Sequence, residues 1–359
     1  MESKIAYRTL RLRRKVKEVP PEQLNRFVEV QQQFRRWATE WYLSGFKAPM
    51  PEENPLKYFA RELKYALALI PAELKNGEWK VPLPFDAQLR LSNERDVSRG
   101  VLVDLPRGEV RVRKWGGGTI VVRLKEKEAE WILERMKEGG ELKLAMAWVG
   151  RVKRSNIATF NVSLVFAKEV TPIVVKRVLA VDLNALHNGV VWGVVEDGRI
   201  MKRGVERPHL SKIGRLQKEI SRLDSLCAKR GEPYCRQVAA AQSRLYRLLR
   251  QFEDDAARKI VRLALQYKAA VIVDAPKDES LREIKQSRYN PRKKLHLDVG
   301  RLRGRIEQLA EWYGVPYREE RLYSTVCPKC KGKMEELPSR KVRCPKCGFE
   351  AMRDEVPLL

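Results

Sequence analysis

The sequence has no long hydrophobic run. Its apolar stretches fall well short of the roughly 18 residues that a membrane-spanning helix needs. Residues 1–16 are rich in arginine and lysine and lack the apolar core of a signal peptide. No basic segment carries the clean apolar face of a helix that lies on a membrane surface. These absences predict an intracellular protein without a membrane partner.

Acidic residues are too few to balance the basic ones. The chain of 359 residues has 46 Asp and Glu against 73 Lys and Arg, which gives a formal net charge of +27. A charge-rich surface of the thermophile kind would mix both signs. The excess of one sign, spread along the chain, instead favours a polyanionic partner. The length predicts about two or three domains, and 43% hydrophobic content is enough for their cores.

Histidine and cysteine are also scarce, and the three histidines show no metal-ligand spacing. Four of the six cysteines form two CPKC turns with 13 residues between them: Cys327, Cys330, Cys344 and Cys347. This pattern favours a closed, structural Zn²⁺ site over a redox motif or an iron-sulfur cluster. The other two, Cys227 and Cys235, flank a predicted inter-helix loop. We predict free thiols there, with a disulfide as the alternative in a hyperthermophile.

Residues 4–168 mix strand and helix patterns. A strand is predicted over 4–15, followed by a helix that begins at Pro20-Pro21 and a second over 55–70. Between 86 and 168, period-two patterns and turn residues predict many short strands, with one helix near 127–138. Strands of this number and length typically form a small barrel or a curled sheet.

The exposed side of these strands is basic, as a nucleic-acid groove requires. The residues that we assign to it are Arg111, Arg113, Lys114, Arg151, Lys153 and Arg154. Trp115 and Trp148 lie near them, although tryptophans more often belong to a core. A second basic segment lies in a loop of the C-terminal half, at Arg288, Arg292, Lys293 and Lys294.

From residue 171 the pattern changes to longer alternating elements. Three antiparallel strands are predicted first, followed by two long helices, a strand, a helix and a short final strand. Their predicted bounds are 177–183, 189–195, 199–204, 209–227, 236–267, 269–274, 298–313 and 315–321. This is the element order of an RNase H-like fold.

Three aspartates occupy the stations from which that fold presents acids. Asp182 and Asp274 end apolar strands, and Asp354 follows the cysteine motif. A single aspartate is more often a turn former or a helix cap. Three carboxylates forced together repel one another, and a bound cation removes that penalty. Hard oxygen ligands predict Mg²⁺ or Mn²⁺, and catalytic roles for all three residues.

At these motifs the chain resembles the TnpB family of transposon-encoded, RNA-guided nucleases, which are relatives of the type V CRISPR effectors. The matching pieces are AVDLN at 180–184, VIVDAP at 271–276 and STVCPKC…CPKCGFEAMRD at 324–354. The resemblance implies a guide RNA and a target double-stranded DNA that is opened beside a short flanking motif. It also implies a cytoplasmic, nucleoid-associated protein of a prokaryote.

The same resemblance implies an α+β multidomain architecture. An RNase H-like (RuvC) α/β domain with an inserted zinc ribbon would follow an N-terminal β-barrel-like wedge domain with a helical recognition insert. The implied ranges are 1–18 and 85–170 for the wedge, 19–84 for the insert, 171–326 and 348–359 for the RuvC domain, and 327–347 for the ribbon. The sequence leaves the oligomeric state open.

Two positions depart from the family pattern. Asp274 stands where glutamate is usual, and the shorter side chain would shift a bound metal by around 1 Å, which costs up to about 100-fold in rate. Glu279 lies nearby as a substitute. The chain ends five residues after Asp354, where the family continues in a helix, so we expect weak support for the Asp354 backbone.

These departures keep two alternatives open beside an RNA-guided, metal-dependent DNA endonuclease. The first is a guided, repressor-like DNA-binding protein that does not cut. The second is an unguided zinc-ribbon protein that binds nucleic acid, which leaves the acids at 182 and 274 unexplained.

Overall fold

The computed structural model shows two compact units with mixed helices and strands. The N-terminal unit is Ile5–Glu169, and the C-terminal unit is Met1–Lys4 with Val170–Leu359. The residues that the structure describes are 3–16, 21–70, 74–92, 100–113, 119–151, 158–183, 188–231, 235–275, 298–338, 341–353 and 355–359. The α+β class expected from the sequence is confirmed.

Two four-stranded sheets form the N-terminal unit. The first has the order β1-β10-β9-β4, with β1 Lys4–Lys15, β4 Leu83–Phe85, β9 Glu141–Arg151 and β10 Ala158–Val170. The second has the order β5-β6-β7-β8, with β5 Ala87–Arg90, β6 Val101–Asp104, β7 Glu109–Arg113 and β8 Thr119–Arg123. A short hairpin, β2 Leu74–Lys75 and β3 Glu78–Trp79, lies apart from both.

The sequence predicts a small barrel or a curled sheet, and the described parts of the chain form no closed barrel. Each sheet ends in edge strands, and the chain crosses between the sheets at Asp86, which separates β4 from β5. β4 pairs with β9, whereas β5 pairs with β6. Asp86 accepts a hydrogen bond from the Tyr58 hydroxyl, and this bond holds the crossover in place.

Three helices cover these sheets, α1 Pro21–Leu43, α2 Leu56–Ala66 and α3 Glu126–Lys137. Helix α1 forms because its apolar side chains recur every three or four residues on one face, and the structure buries them: Leu24, Phe27, Val30, Phe34, Ala38 and Trp41. β10 is buried continuously from Thr159 to Ala167, as expected for a central strand covered on both faces.

The C-terminal unit is built on one five-stranded sheet of order β13-β12-β11-β14-β15. Its strands are β11 Arg177–Leu183, β12 Val190–Glu196, β13 Arg199–Glu206, β14 Ala269–Asp274 and β15 Tyr317–Glu320. β11, β12 and β13 are antiparallel, whereas β14 is parallel to β11 and β15 is parallel to β14. The predicted element order from residue 177 is therefore confirmed.

Three helices pack on one face of this sheet, α4 Leu210–Lys229, α5 Arg236–Tyr267 and α6 Val299–Tyr313. A core cluster joins Leu179, Val181 and Val273 of the sheet to apolar side chains of these helices. Gly314 ends α6 with φ +68°, and a Cβ there would lie 2.6 Å from the carbonyl oxygen of Thr171, so only glycine fits.

The prediction of free thiols at Cys227 and Cys235 is wrong. The two residues form a disulfide with a Cα–Cα distance of 6.1 Å. Cys227 lies near the end of α4 and Cys235 directly before α5, so the helical hairpin brings the two side chains together. None of the helices in the described ranges is both long enough and apolar enough to cross a membrane.

Candidate metal and nucleic-acid site

Asp182 and Asp274 lie side by side at the carboxyl ends of two parallel strands. Val181 of β11 is in register with Val273 of β14, and both valines are fully buried in the helix-covered core. Side chains alternate between the faces of a strand, so the next residue of each strand, Asp182 and Asp274, faces the opposite side. Neighbouring strands lie about 4.8 Å apart. The structure therefore brings two of the three predicted acids together.

Asp274 is a half-buried carboxylate with few partners. Its Oδ1 accepts a hydrogen bond of 2.9 Å from the Leu322 backbone N–H. Burial raises the pKa of Asp274, while this bond and the charges of Arg321 and Arg303 act in the opposite direction. A carboxylate that is costly to ionise in isolation gains from a bound cation.

Glu320 is an acid that the sequence analysis missed. It is in register with Asp274 on the adjacent strand β15, so both side chains project from the same face. In the structure it pairs with Arg318 at 2.7 Å. Only the register of β14 with β15 identifies this neighbour, because nothing in the sequence pattern of β15 does.

The third predicted acid, Asp354, lies outside the described residues, but the chain directly after it is well placed. Val356–Leu358 form a buried 3-10 turn. Leu358 packs on Ala180 of β11 and Val191 of β12, and Val191 is the register partner of Asp182. The segment that follows Asp354 therefore lies on the face that carries Asp182.

The expectation of weak support concerns the Asp354 backbone, which lies outside the described residues, so it stays a prediction; Val356–Leu358, which follow it, are buried. Glu355 forms an ion pair with Arg203 of β13. A Cβ at Gly193 would come within 3.0 Å of the Leu358 side chain, so glycine at this position leaves room for the turn.

The four ribbon cysteines converge as predicted. Their sulfur atoms all lie within 4.8 Å of one another. The two CPKC turns are built alike, because Lys331 N–H donates to the Cys327 carbonyl oxygen and Gly348 N–H to that of Cys344, each at 2.9 Å. Although burial opposes it, hydrogen bonds from the backbone of Cys330 and Lys329 lower the pKa of Cys327 to about 7.

This donor set fits a zinc ion. Four sulfur ligands complete a tetrahedral site and leave no open position for chemistry. Small strands β16 Glu335–Leu337, β17 Lys341–Arg343 and β18 Glu350–Met352 frame the cysteines. In the described part of the chain, this is the one group of three or more potential ligands close enough to hold a metal; Asp354 lies outside that search.

The predicted nucleic-acid residues are only partly described. Arg111 is half-buried and donates to Glu109 at 2.7 Å, with Asp104 at 3.9 Å, so acids already share its charge. Arg113 is exposed at the end of β7. The side chain of Arg151 and all of Lys114, Lys153, Arg154, Arg288, Arg292, Lys293 and Lys294 lie outside the described residues. Their assignments remain predictions.

The sequence analysis missed two cavities in the C-terminal unit. One, of about 410 Å³, is lined by residues of β12, β13 and the final turn, among them Val191, Arg203 and Leu358. The other, of about 500 Å³, is lined by basic residues of α4 and α5, among them Lys212 and Arg262, and by the acids Glu206 and Asp255. Arg207 lines both cavities. These residues are far apart in sequence, so no local charge run revealed them.

Comparison with known proteins supports the motif resemblance. Residues 300–356, which include α6 and all four ribbon cysteines, match the family model of the Cas12f1-like TNB domain. The chain is also similar in fold to the Cas12f1 protein of a Cas12f1–sgRNA–target DNA complex, with a TM-score of 0.54 and 13% identity. That match covers 94% of this chain and 80% of the other. The resemblance to the TnpB-like RNA-guided nucleases is confirmed.

Two further solved structures show weaker likeness. A CRISPR-Cas12f ternary complex matches with a TM-score of 0.38 and 11% identity, over 94% of this chain and 79% of that one. The mini-RNA-guided endonuclease CRISPR-Cas phi3 matches with a TM-score of 0.38 and 10% identity, over 70% and 57%. No curated protein matches the sequence.

Proposed function

We propose that the chain is an RNA-guided, divalent-metal-dependent DNA endonuclease of transposon origin. The observation that carries the proposal is the adjacent placement of Asp182 and Asp274 on the sheet face where the C-terminal turn packs. The strand order β13-β12-β11-β14-β15, with three antiparallel and two parallel members, supports an RNase H-like (RuvC) assignment for this unit. Asp354 would complete the set of metal ligands.

The acids would hold Mg²⁺ or Mn²⁺. Such ions, when bound, polarise a phosphodiester and lower the pKa of water. The protein supplies position: the Leu322 N–H fixes one oxygen of Asp274, and the β11–β12 and β11–β14 pairings fix the backbone of Asp182. Aspartate has a shorter side chain than the glutamate that is usual in the family. The backbone hydrogen bond from Leu322 nevertheless fixes the position of the Asp274 carboxylate.

The zinc ribbon has a structural role in this proposal. Val356 belongs to the ribbon's own core, with Cys327 and Cys344, while Leu358 belongs to the cluster on the sheet. The turn after Asp354 is thus anchored to the ribbon at one residue and to the sheet at another. Bound zinc would fix the ribbon and leave the chemistry to the acids.

The two cavities of the C-terminal unit supply a route for the DNA backbone. Arg207 is exposed and lines both, and Arg203 and Lys212 extend the basic surface on either side. Phosphate groups in the first cavity would lie next to Val191, beside the acids. Arginine suits this role because its planar group can donate two hydrogen bonds to one phosphate.

The partners follow from the same family resemblance. The guide RNA would be bound by the wedge over 1–18 and 85–170 and by the insert over 19–84, and would pair with the target DNA. The similar fold belongs to a protein solved with both nucleic acids. Base pairing would read the sequence, whereas the protein reads backbone shape and a short flanking motif.

The test uses protein co-expressed with its genomic flank and washed at high salt, so that only tightly bound RNA remains. This complex is incubated with Mg²⁺ and guide-matched DNA, beside Asp182→Ala and the control Asp224→Ala, an exposed acid on α4. We expect guide-dependent cutting that is lost only in Asp182→Ala. Matched DNA that is bound but left intact would instead identify a guided binder, and cutting by Asp182→Ala would refute the site.

A further inference from the structure

A second basic cleft lies in the N-terminal unit, separate from the acids. Its volume is about 410 Å³, and β1, α1, the β2–β3 hairpin, β9 and β10 form its walls. The charged and aromatic residues that line it are Arg11, Arg35, Lys75, Lys80, Trp79 and Trp148. None of the described lining residues is Asp or Glu. Positive charge therefore predominates among the lining residues, although Glu78 beside the cleft forms an ion pair with Lys80.

The fold holds two arginines at this cleft. Arg35 of α1 donates its Nε hydrogen to the carbonyl oxygen of Val81 at 3.0 Å, which fixes the guanidinium group. Burial lowers the pKa of Arg35, partly offset by the charge of Glu78. Burial also lowers the pKa of Arg11, and the neighbouring Arg13 adds repulsion. Partly desolvated cations that repel one another are stabilised by an incoming anion.

Trp148 narrows the chemical class of that anion. The guanidinium carbon of Arg11 lies over the half-buried Trp148 ring, 5.1 Å from its centre, so the two groups form a cation–π pair that offers flat groups for stacking. Nucleic-acid bases stack on such surfaces, and each stacked base contributes about 1–3 kcal/mol to single-strand binding. An acidic peptide would use the cations but not the stack.

We propose that this cleft binds one nucleotide of a single-stranded nucleic acid, with its base at the Trp148–Arg11 pair and its phosphate at Arg35. The volume lies within the range of small-molecule sites and accommodates a single nucleotide. The inference deepens the proposed function because it names a contact for the guide RNA or for an opened DNA strand. It does not depend on the metal site.

The experiment measures this contact without cutting. Full-length protein carrying Asp182→Ala is titrated with fluorescent single-stranded RNA and, separately, DNA of the same sequence. Arg35→Gln should weaken binding about tenfold, the usual loss for one charged hydrogen bond, and Arg11→Gln should weaken it by about the same factor because it removes part of the stacking contact. The control is Arg36→Gln, an exposed arginine next to Arg35 that does not line the cleft, and it should leave binding unchanged.

A second readout covers variants that fold poorly. Oligonucleotides containing 5-iodouracil are crosslinked by light to protein without substitutions at the cleft, and the crosslinked peptide is identified by mass spectrometry. We expect Trp148 in that peptide. If RNA crosslinks and DNA does not, the cleft is assigned to the guide. If DNA crosslinks and RNA does not, the cleft is assigned to the target.

The inference is overturned if neither oligonucleotide crosslinks to Trp148 and Arg11→Gln and Arg35→Gln both behave like Arg36→Gln. If an acidic peptide displaces the oligonucleotides and neither oligonucleotide crosslinks to Trp148, the cleft is an anion site of another class. That result would also overturn the inference. Failure of the nuclease proposal is separable, because these measurements are made in protein that is not required to cut.

Discussion

Truncation of the Leu358 side chain should reduce cutting without unfolding the C-terminal unit. Leu358 is 3% exposed, in the short turn after Asp354, and it contacts Ala180 and Val191 on the face that carries Asp182. The main core of the unit lies on the other face of the sheet. Leu358→Ala should therefore release the C-terminal turn while leaving the sheet and its helices folded.

The size of the effect of Leu358→Ala follows from the small free energy that keeps the turn packed on the sheet. Ordering four backbone residues costs about 4–8 kcal/mol. Burying Val356 and Leu358 contributes about 3–6 kcal/mol, and the Arg203–Glu355 ion pair adds about 0–1 kcal/mol. The packed state is then within a few kcal/mol of the released one. A Leu→Ala change costs at least about 2 kcal/mol, and each 1.4 kcal/mol is about tenfold, so the packed population falls about 30-fold relative to the released one.

Two measurements check this result. Hydrogen exchange should accelerate at the amides of Leu358 and Leu359, which donate within the turn to Glu355 and Val356. Guide-dependent cutting should fall about tenfold or more, with little change in melting temperature. Leu359→Ala is the matched control, because that side chain is 37% exposed. Equal exchange and equal cutting in the two variants would refute the idea that the turn supports the site.

Three further changes test other parts of the structure. Cys344→Ser should abolish binding of one zinc per chain, measured by elemental analysis, and should open residues 327–356 to protease; retained zinc would contradict the four-sulfur site. Replacing Cys227 and Cys235 together by serine should lower the free energy of unfolding by about 2–3 kcal/mol in denaturant titrations, and an unchanged value would argue against the disulfide. Burial raises the pKa of Glu253, despite hydrogen bonds from Asp298 N–H and from Arg301, so its contribution to stability is greatest at low pH and falls as pH rises above its ordinary value of 4.5. As the pH rises above 4.5, the melting temperature of Glu253→Gln should fall less than that of the parent protein. Equal changes of melting temperature with pH in the two proteins would refute the raised pKa.

Features that depend on a few neighbouring residues could be predicted from the sequence. The alternation Ile5, Tyr7 and Thr9 gave β1, and the three-to-four spacing of Leu24, Phe27 and Phe34 gave α1. The two CPKC turns follow from local geometry alone. The element order of the C-terminal unit was also predictable, because its central strands β11, β12 and β14 are largely apolar runs.

Features that depend on register or on distant contacts could not be predicted. Glu320 becomes a neighbour of Asp274 only through the pairing of β14 with β15. Arg203 is assigned to the sheet face that carries Asp182 only through two register pairs, Val205 with Val191 and Val191 with Asp182. The choice between a barrel and a curled sheet could not be made from the sequence for a related reason: closure depends on which strand pairs with each edge, and a period-two pattern does not contain that information.

Aspartate at position 274, where the family usually has glutamate, has different consequences when judged from the sequence and from the structure. From the sequence alone, one missing methylene argues for a displaced metal and a decayed site. In the structure, Asp274 is the last residue of β14, its Oδ1 is fixed by the Leu322 N–H, and its register places it beside Asp182. A short carboxylate held by the backbone loses less rotational freedom on binding a cation than a longer, unsupported one would. The hydrogen bond from Leu322 therefore counters the argument from side-chain length, and the substitution by itself does not favour the binder over the nuclease.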